Sequence, residues 1–136
     1  MLTQYVGIKS HHGKYLTSSS GGKIVCDKSE MKDNEIFILK QEDGYVTLKT
    51  KFGKYISVTS NSGLEAEKDK IGNNEKFEID IKDNNQFTLK SYFGFYVSAQ
   101  KDGKLEVNKK VASENETFQF VLKKVESLTE FLKFKI

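Results

Sequence analysis

Two adjacent histidines, His11 and His12, are the only imidazoles in the 136-residue chain. Neighbouring residues on a strand point to opposite faces, so this pair does not converge on one ion, and no third histidine completes a ligand set. They read as turn or surface residues. Cys26 is the single cysteine, which excludes an intramolecular disulfide. A nucleophilic thiol needs a neighbouring base; the sequence marks none, and Cys26 reads as a small buried hydrophobe. Asn34-Glu35, Asn74-Glu75 and Asn115-Glu116 recur at related positions. A catalytic site is a single asymmetric constellation, so a carboxylate present in triplicate reads instead as part of a turn built on asparagine. Most acidic residues are expected on outward strand positions or loops. Phosphate-binding loops, nucleophile elbows and zinc-binding helix motifs are missing. The chain reads as a non-enzyme, with no catalytic residue, metal or cofactor expected.

Binding chemistry is better represented. All 22 basic residues are lysine, and the net charge is only +3. Arginine supplies the planar fork that reads guanine edges, so its absence argues against a sequence-specific nucleic-acid reader. Lysine remains suited to weak attraction toward an acidic surface. Aromatic residues are densest at Tyr92-Phe93-Gly94-Phe95-Tyr96. Tyr92 and Phe95 form an alternative ligand patch, able to stack on a sugar face or anchor a protein.

The elements that position these residues come in three copies. Tyr45-Val-Thr-Leu-Lys-Thr-Lys-Phe-Gly-Lys-Tyr-Ile-Ser57 lies over Tyr5-Val-Gly-Ile-Lys-Ser-His-His-Gly-Lys-Tyr-Leu-Thr17 at an offset of 40. Gln86-Phe-Thr-Leu-Lys-Ser-Tyr-Phe-Gly-Phe-Tyr-Val-Ser98 lies over the same stretch at an offset of 81. The register continues through Cys26, Ala66 and Val107, then Phe37, Phe77 and Phe118, then Leu39, Ile79 and Phe120. The units span about 4–43, 44–84 and 85–124. Within each, apolar residues alternate with polar ones, as in Leu64-Glu-Ala-Glu67, which is the period of a half-buried strand. Gly13, Gly53 and Gly94 divide the first and second runs, and Gly22, Gly63 and Gly103 precede the third. Four strands per unit give twelve. Such a unit cannot bury an apolar face alone, and an open row of three would leave raw sheet edges. Closure into a pseudo-threefold barrel resolves both problems. An all-β domain over 1–124 is therefore expected, followed by a C-terminal extension, 125–136.

No apolar run approaches the ~20 residues of a membrane span. The opening Met1-Leu2-Thr3-Gln4 lacks a signal-peptide pattern, and the lone cysteine fits a reducing compartment; a cytoplasmic location is expected. The extension carries Val125, Leu128, Phe131, Leu132, Phe134 and Ile136, too many large apolar side chains to leave in water. It is expected to pack on the barrel, to mediate self-association, or to touch a membrane or another partner. Leu128, Phe131, Leu132 and Phe134 are the candidate residues of a homodimer contact.

This pattern resembles the β-trefoil fold. Within it, Lys49-Thr-Lys-Phe-Gly-Lys-Tyr-Ile-Ser57 and Lys9-Ser-His-His-Gly-Lys-Tyr-Leu-Thr17 resemble the hisactophilin and fascin trefoils, over about 4–124. The resemblance implies a non-enzymatic, cytoskeleton-associated protein that binds filamentous actin and in some members bundles it. Actin presents an acidic surface, so lysines on loops are the contact residues the resemblance suggests: Lys14, Lys51, Lys54, Lys109 and Lys110. Lys9, Lys49 and Lys90 read as scaffold. With only two histidines, no histidine-driven pH switch is expected. Leu2 stands where myristoylation needs glycine, so none is expected. A carbohydrate-binding trefoil is the alternative, although the Gln-x-Trp repeats of ricin-type lectins are missing from a chain without tryptophan.

Overall fold

The computed structural model describes residues 3–123; the candidate dimer contacts Leu128, Phe131, Leu132 and Phe134 lie outside them. Alternation sets the local structure. Where Leu64 and Ala66 turn inward, Glu65 and Glu67 between and after them face water, and the segment is a strand because only that period separates the two faces. Twelve strands result: β1 (Thr3–Ser10), β2 (Tyr15–Ser18), β3 (Ile24–Lys28), β4 (Phe37–Glu42), β5 (Tyr45–Lys49), β6 (Tyr55–Val58), β7 (Leu64–Lys68), β8 (Phe77–Ile81), β9 (Gln86–Ser91), β10 (Tyr96–Ala99), β11 (Leu105–Lys109) and β12 (Phe118–Leu122).

Six strands close a ring. β1 pairs with β4, β4 with β5, β5 with β8, β8 with β9, β9 with β12, and β12 returns to β1, all antiparallel. The other six form the hairpins β2–β3, β6–β7 and β10–β11, which cap one end. This is a β-trefoil. Closure removes the sheet edges that an open arrangement would expose. The hairpins are joined by three equivalent hydrogen bonds of 2.8 Å: the N–H groups of Cys26, Ala66 and Val107 donate to the carbonyls of Gly103, Gly22 and Ser62.

That ring corrects one alignment. The residue equivalent to Gly22 (φ 93°) and Gly103 (φ 92°) is Ser62, at φ 64°, and Gly63 is its neighbour. A side chain at either glycine would be crowded as well as strained: a Cβ on Gly103 would lie 2.9 Å from Asp27 Cβ and 3.1 Å from the Cys26 carbonyl oxygen. The hairpins also share an irregularity, a break in register just after Tyr15, Tyr55 and Tyr96, which sharpens strand twist at the cap.

The core is the aligned apolar set. Phe37, Phe77 and Phe118 are buried side by side with Val6, Val46 and Phe87, and Ile24, Leu64 and Leu105 converge from the hairpins. Ile79 and Phe120 are only partly buried, whereas their equivalent Leu39 is fully enclosed. Phe120 recovers contact by stacking on Phe87, centroids 3.7 Å apart. Cys26 is buried, its thiol donating to the Lys14 carbonyl oxygen at 3.2 Å. Burial pushes that thiol up to about 11, so thiolate chemistry is suppressed at neutral pH.

The Asn-Glu pairs lie in turns, with their glutamate side chains directed inward. Glu35, Glu75 and Glu116 end short 3-10 turns (Asp33–Glu35, Asn73–Glu75, Glu114–Glu116), and each is buried. Each carboxylate clamps two segments. Glu35 accepts from Thr17 Oγ1 at 2.5 Å and the Lys32 N–H at 2.8 Å. Glu75 accepts from Ser57 Oγ and, at 2.7 Å, from the Gly72 N–H. Glu116 accepts from Ser98 Oγ at 2.5 Å and the Ser113 N–H at 2.8 Å. A buried carboxylate is tolerable only with such partners. Burial alone would raise the Glu116 carboxyl, but the donors at Ser98 and Ser113 outweigh it and hold it below the usual glutamate range.

Candidate binding surface on the outer loops

With the interior used in triplicate, chemistry that distinguishes one direction from another must come from positions where the units differ. The first is the tip of each first hairpin. Gly13, Gly53 and Gly94 take φ of 78°, 79° and 94° there, and the preceding residues are His11-His12, Lys51-Phe52 and Tyr92-Phe93. Each tip borders the unit before it, and each does so with different groups. His11 Nε2 lies 3.2 Å from Glu114 Oε2, and His12 Nε2 lies 3.0 Å from Asn115 Oδ1. The histidines thus hold the first unit against the third, a contact the sequence reading missed because the partners are about a hundred residues away. Lys51 is exposed, with Nζ 5.4 Å from the Phe52 ring centroid. The Tyr92 N–H donates to the Lys76 carbonyl at 3.2 Å.

The second set begins one residue after the glycine. Lys14 Nζ donates to Ser29 Oγ at 3.0 Å, and Lys54 Nζ is bonded to Asp69. That hydrogen bond, with the lysine charge, lowers the Asp69 carboxyl below its ordinary value. In the third unit the same two positions hold Phe95 and Lys110. Phe95 packs against the core instead of reaching outward, and among the described residues no acid is paired with Lys110. Lys109 and Lys110 are both exposed at the end of β11, and neither forms an ion pair among the described residues. Lys109 nonetheless contributes to holding the Glu116 carboxyl down.

Of the predicted lysines, Lys14 and Lys54 are partly buried and engaged, while Lys51, Lys109 and Lys110 are presented to solvent. The Tyr92 and Phe95 pair is divided: Tyr92 is 58% exposed and Phe95 faces the core. The exposed partner of Tyr92 is Phe93, 54% exposed and edge-on at 5.5 Å between centroids. Lys9, Lys49 and Lys90 extend over the rings of Tyr15, Tyr55 and Tyr96 at 5.6, 5.3 and 5.6 Å. Their threefold repetition marks them as scaffold, each lysine shielding a half-buried ring. Among the described residues no helix is long and apolar enough to cross a membrane, and no cluster of three or more histidine, cysteine or acidic side chains is arranged to hold a metal.

A model of the fascin domain matches residues 2–79, more than half of the chain. No curated protein matches it.

Proposed function

The chain belongs to the fascin-domain family, and on that premise we propose that it is a non-enzymatic, cytoskeleton-associated module that binds actin filaments through lysine-bearing loops. The observation that carries this reading is the exposed Lys109-Lys110 pair at the end of β11, where the partner position that holds Asp69 in the second unit is itself a lysine. Lysines already paired with an acid have little attraction to offer. Unpaired ones on a rigid hairpin keep their field and lose little entropy on docking. Lys51, and more weakly Lys14 and Lys54, extend the basic surface at other loop tips. Attraction of this kind speeds encounter with an acidic filament and is screened by salt over about 8 Å at physiological ionic strength. The cytoplasm, where filamentous actin is found, is the compartment this function requires. One such face binds a filament without bundling it; bundling would need a second face or a second copy.

High-speed co-sedimentation with filamentous actin tests the reading. Pelleting at low salt that declines as salt rises is the expected result, and absence from the pellet at low salt would overturn it. The carbohydrate-binding alternative keeps one supporting feature, the exposed Tyr92 ring. A glycan array with Tyr92→Ala beside the parent separates the two readings.

A further inference from the structure

The third unit exposes apolar side chains at two places where its counterparts do not. The first is the hairpin tip. His11 and His12 are engaged by Glu114 and Asn115, and Phe52 is partly buried beside Lys51, but both Tyr92 and Phe93 stand in solvent. The second place follows Lys110. Where the first and second units carry Glu30 and Lys70, the third carries Val111, which is 78% exposed.

The fold sets these two places side by side. The Ser91 N–H donates to the Phe95 carbonyl at 2.7 Å, closing the turn that carries the rings, and the next residue, Tyr96, pairs with Lys109 across β10 and β11. In the first unit the residue equivalent to Phe95, Lys14, reaches the residue equivalent to Lys110, Ser29, at 3.0 Å. The turn and the end of β11 are therefore neighbours. The result is one patch, two rings and a valine, beside two lysines that form no ion pair among the described residues. The tip is also held from below, the Tyr92 N–H donating to the Lys76 carbonyl at 3.2 Å, so little freedom is lost when it docks. The planes of Tyr92 and Phe93 meet at 82°. Perpendicular rings on a projecting turn form a wedge that suits a cleft between side chains, not the flat platform on which a sugar stacks.

We propose that Tyr92 and Phe93 are the apolar anchor of the filament contact, seated in an apolar cleft of an acidic protein surface that Lys109 and Lys110 hold at its edge. The proposal rests on the actin-binding reading and adds which groups set the affinity. Charges at the rim hasten encounter and are screened by salt. Rings desolvated at the centre slow dissociation, and salt does not screen them.

That division of labour is the test. Co-sedimentation with filamentous actin over a salt series compares the parent with Tyr92→Ala/Phe93→Ala and with Lys109→Glu/Lys110→Glu. The ring variant is expected to bind about tenfold more weakly at every salt concentration while keeping the parent's salt dependence. Because both rings are exposed, it should melt within about 2 °C of the parent. The lysine variant is expected to show a flatter salt dependence. A parent absent from the low-salt pellet would overturn the actin reading and the anchor with it. A parent that pellets while the ring variant pellets equally well would leave the actin reading standing and overturn the anchor alone. Glycan binding that the ring variant loses, with its pelleting unchanged, would also overturn the anchor by assigning the rings to a sugar.

Discussion

Lys54 and Asp69 in the second unit, and Phe95 and Lys110 in the third, occupy equivalent positions on equivalent hairpins. In one the pair closes on itself as an ion pair; in the other the aromatic ring joins the core and the lysine is left facing outward. Beneath both hairpins the interior is the same: a hydroxyl from β6 or β10 donates to a buried glutamate that also accepts a backbone N–H. The contrast separates two kinds of constraint. Closure imposes the interior on every unit, since an unpaired group there is costly. It imposes nothing on the outer pair, which is free to become a neutral seal in one unit and a basic projection in another.

The strongest way to break that comparison is to remove the interior clamp. Glu75→Ala should cost about 2–3 kcal/mol, because it strands the Ser57 hydroxyl and the Gly72 N–H, and Glu116→Ala should cost about the same. Thermal melts check both; markedly unequal losses would show that the units are not energetic equivalents. Glu116 adds a pH dependence. Its folded carboxyl holds a proton less tightly than the unfolded one, so its contribution is complete above the ordinary glutamate value of 4.5 and fades as pH falls through the folded value. Denaturant midpoints measured from pH 6 downward should decline less in Glu116→Gln than in the parent.

Gly103→Ala comes next, at about 2 kcal/mol, from a strained φ and the approach of Asp27 and Cys26. Its counterpart sharpens the comparison: Ser62→Gly should stabilise by about 0.5–1 kcal/mol by relieving the same backbone conformation in the second unit. Equal midpoints for Ser62→Gly and the parent would mean that the turn is not strained there.

At the surface, Lys109→Glu/Lys110→Glu should weaken filament binding about tenfold, or ~1.4 kcal/mol, with little change in melting temperature. Lys14→Glu should weaken it less, since Ser29 already engages that amine. Sedimentation at fixed ionic strength measures both. The smallest effect is expected at Lys54→Ala, whose partner Asp69 is exposed: a melting temperature within a degree of the parent, as for most surface ion pairs.

Much of this was legible from residue types alone. Alternation gave the strands, the 40- and 81-residue offsets gave the threefold relation, and the edge problem required closure. The lysine positions were visible, as was their inequality at Phe95. Four features were not. The buried glutamates looked like turn residues because their donors, Thr17, Ser57 and Ser98, lie eighteen residues earlier. Ser62 was hidden by the glycine beside it. The contacts of His11 and His12 with Glu114 and Asn115 join opposite ends of the chain. A groove lined by Tyr5, Ile36 and Ile38 needed β1 and β4 side by side.

The amino-acid sequence by itself determined that three near-equal stretches alternate apolar and polar residues and cannot be stable apart, since local periodicity and the cost of exposed apolar faces are properties of short segments. Only the tertiary structure decided which polar groups meet. Pairing a carboxylate with a hydroxyl, a histidine with a distant turn, or a lysine with no acid depends on how the closed ring brings remote residues within hydrogen-bond reach, and no local rule contains that distance.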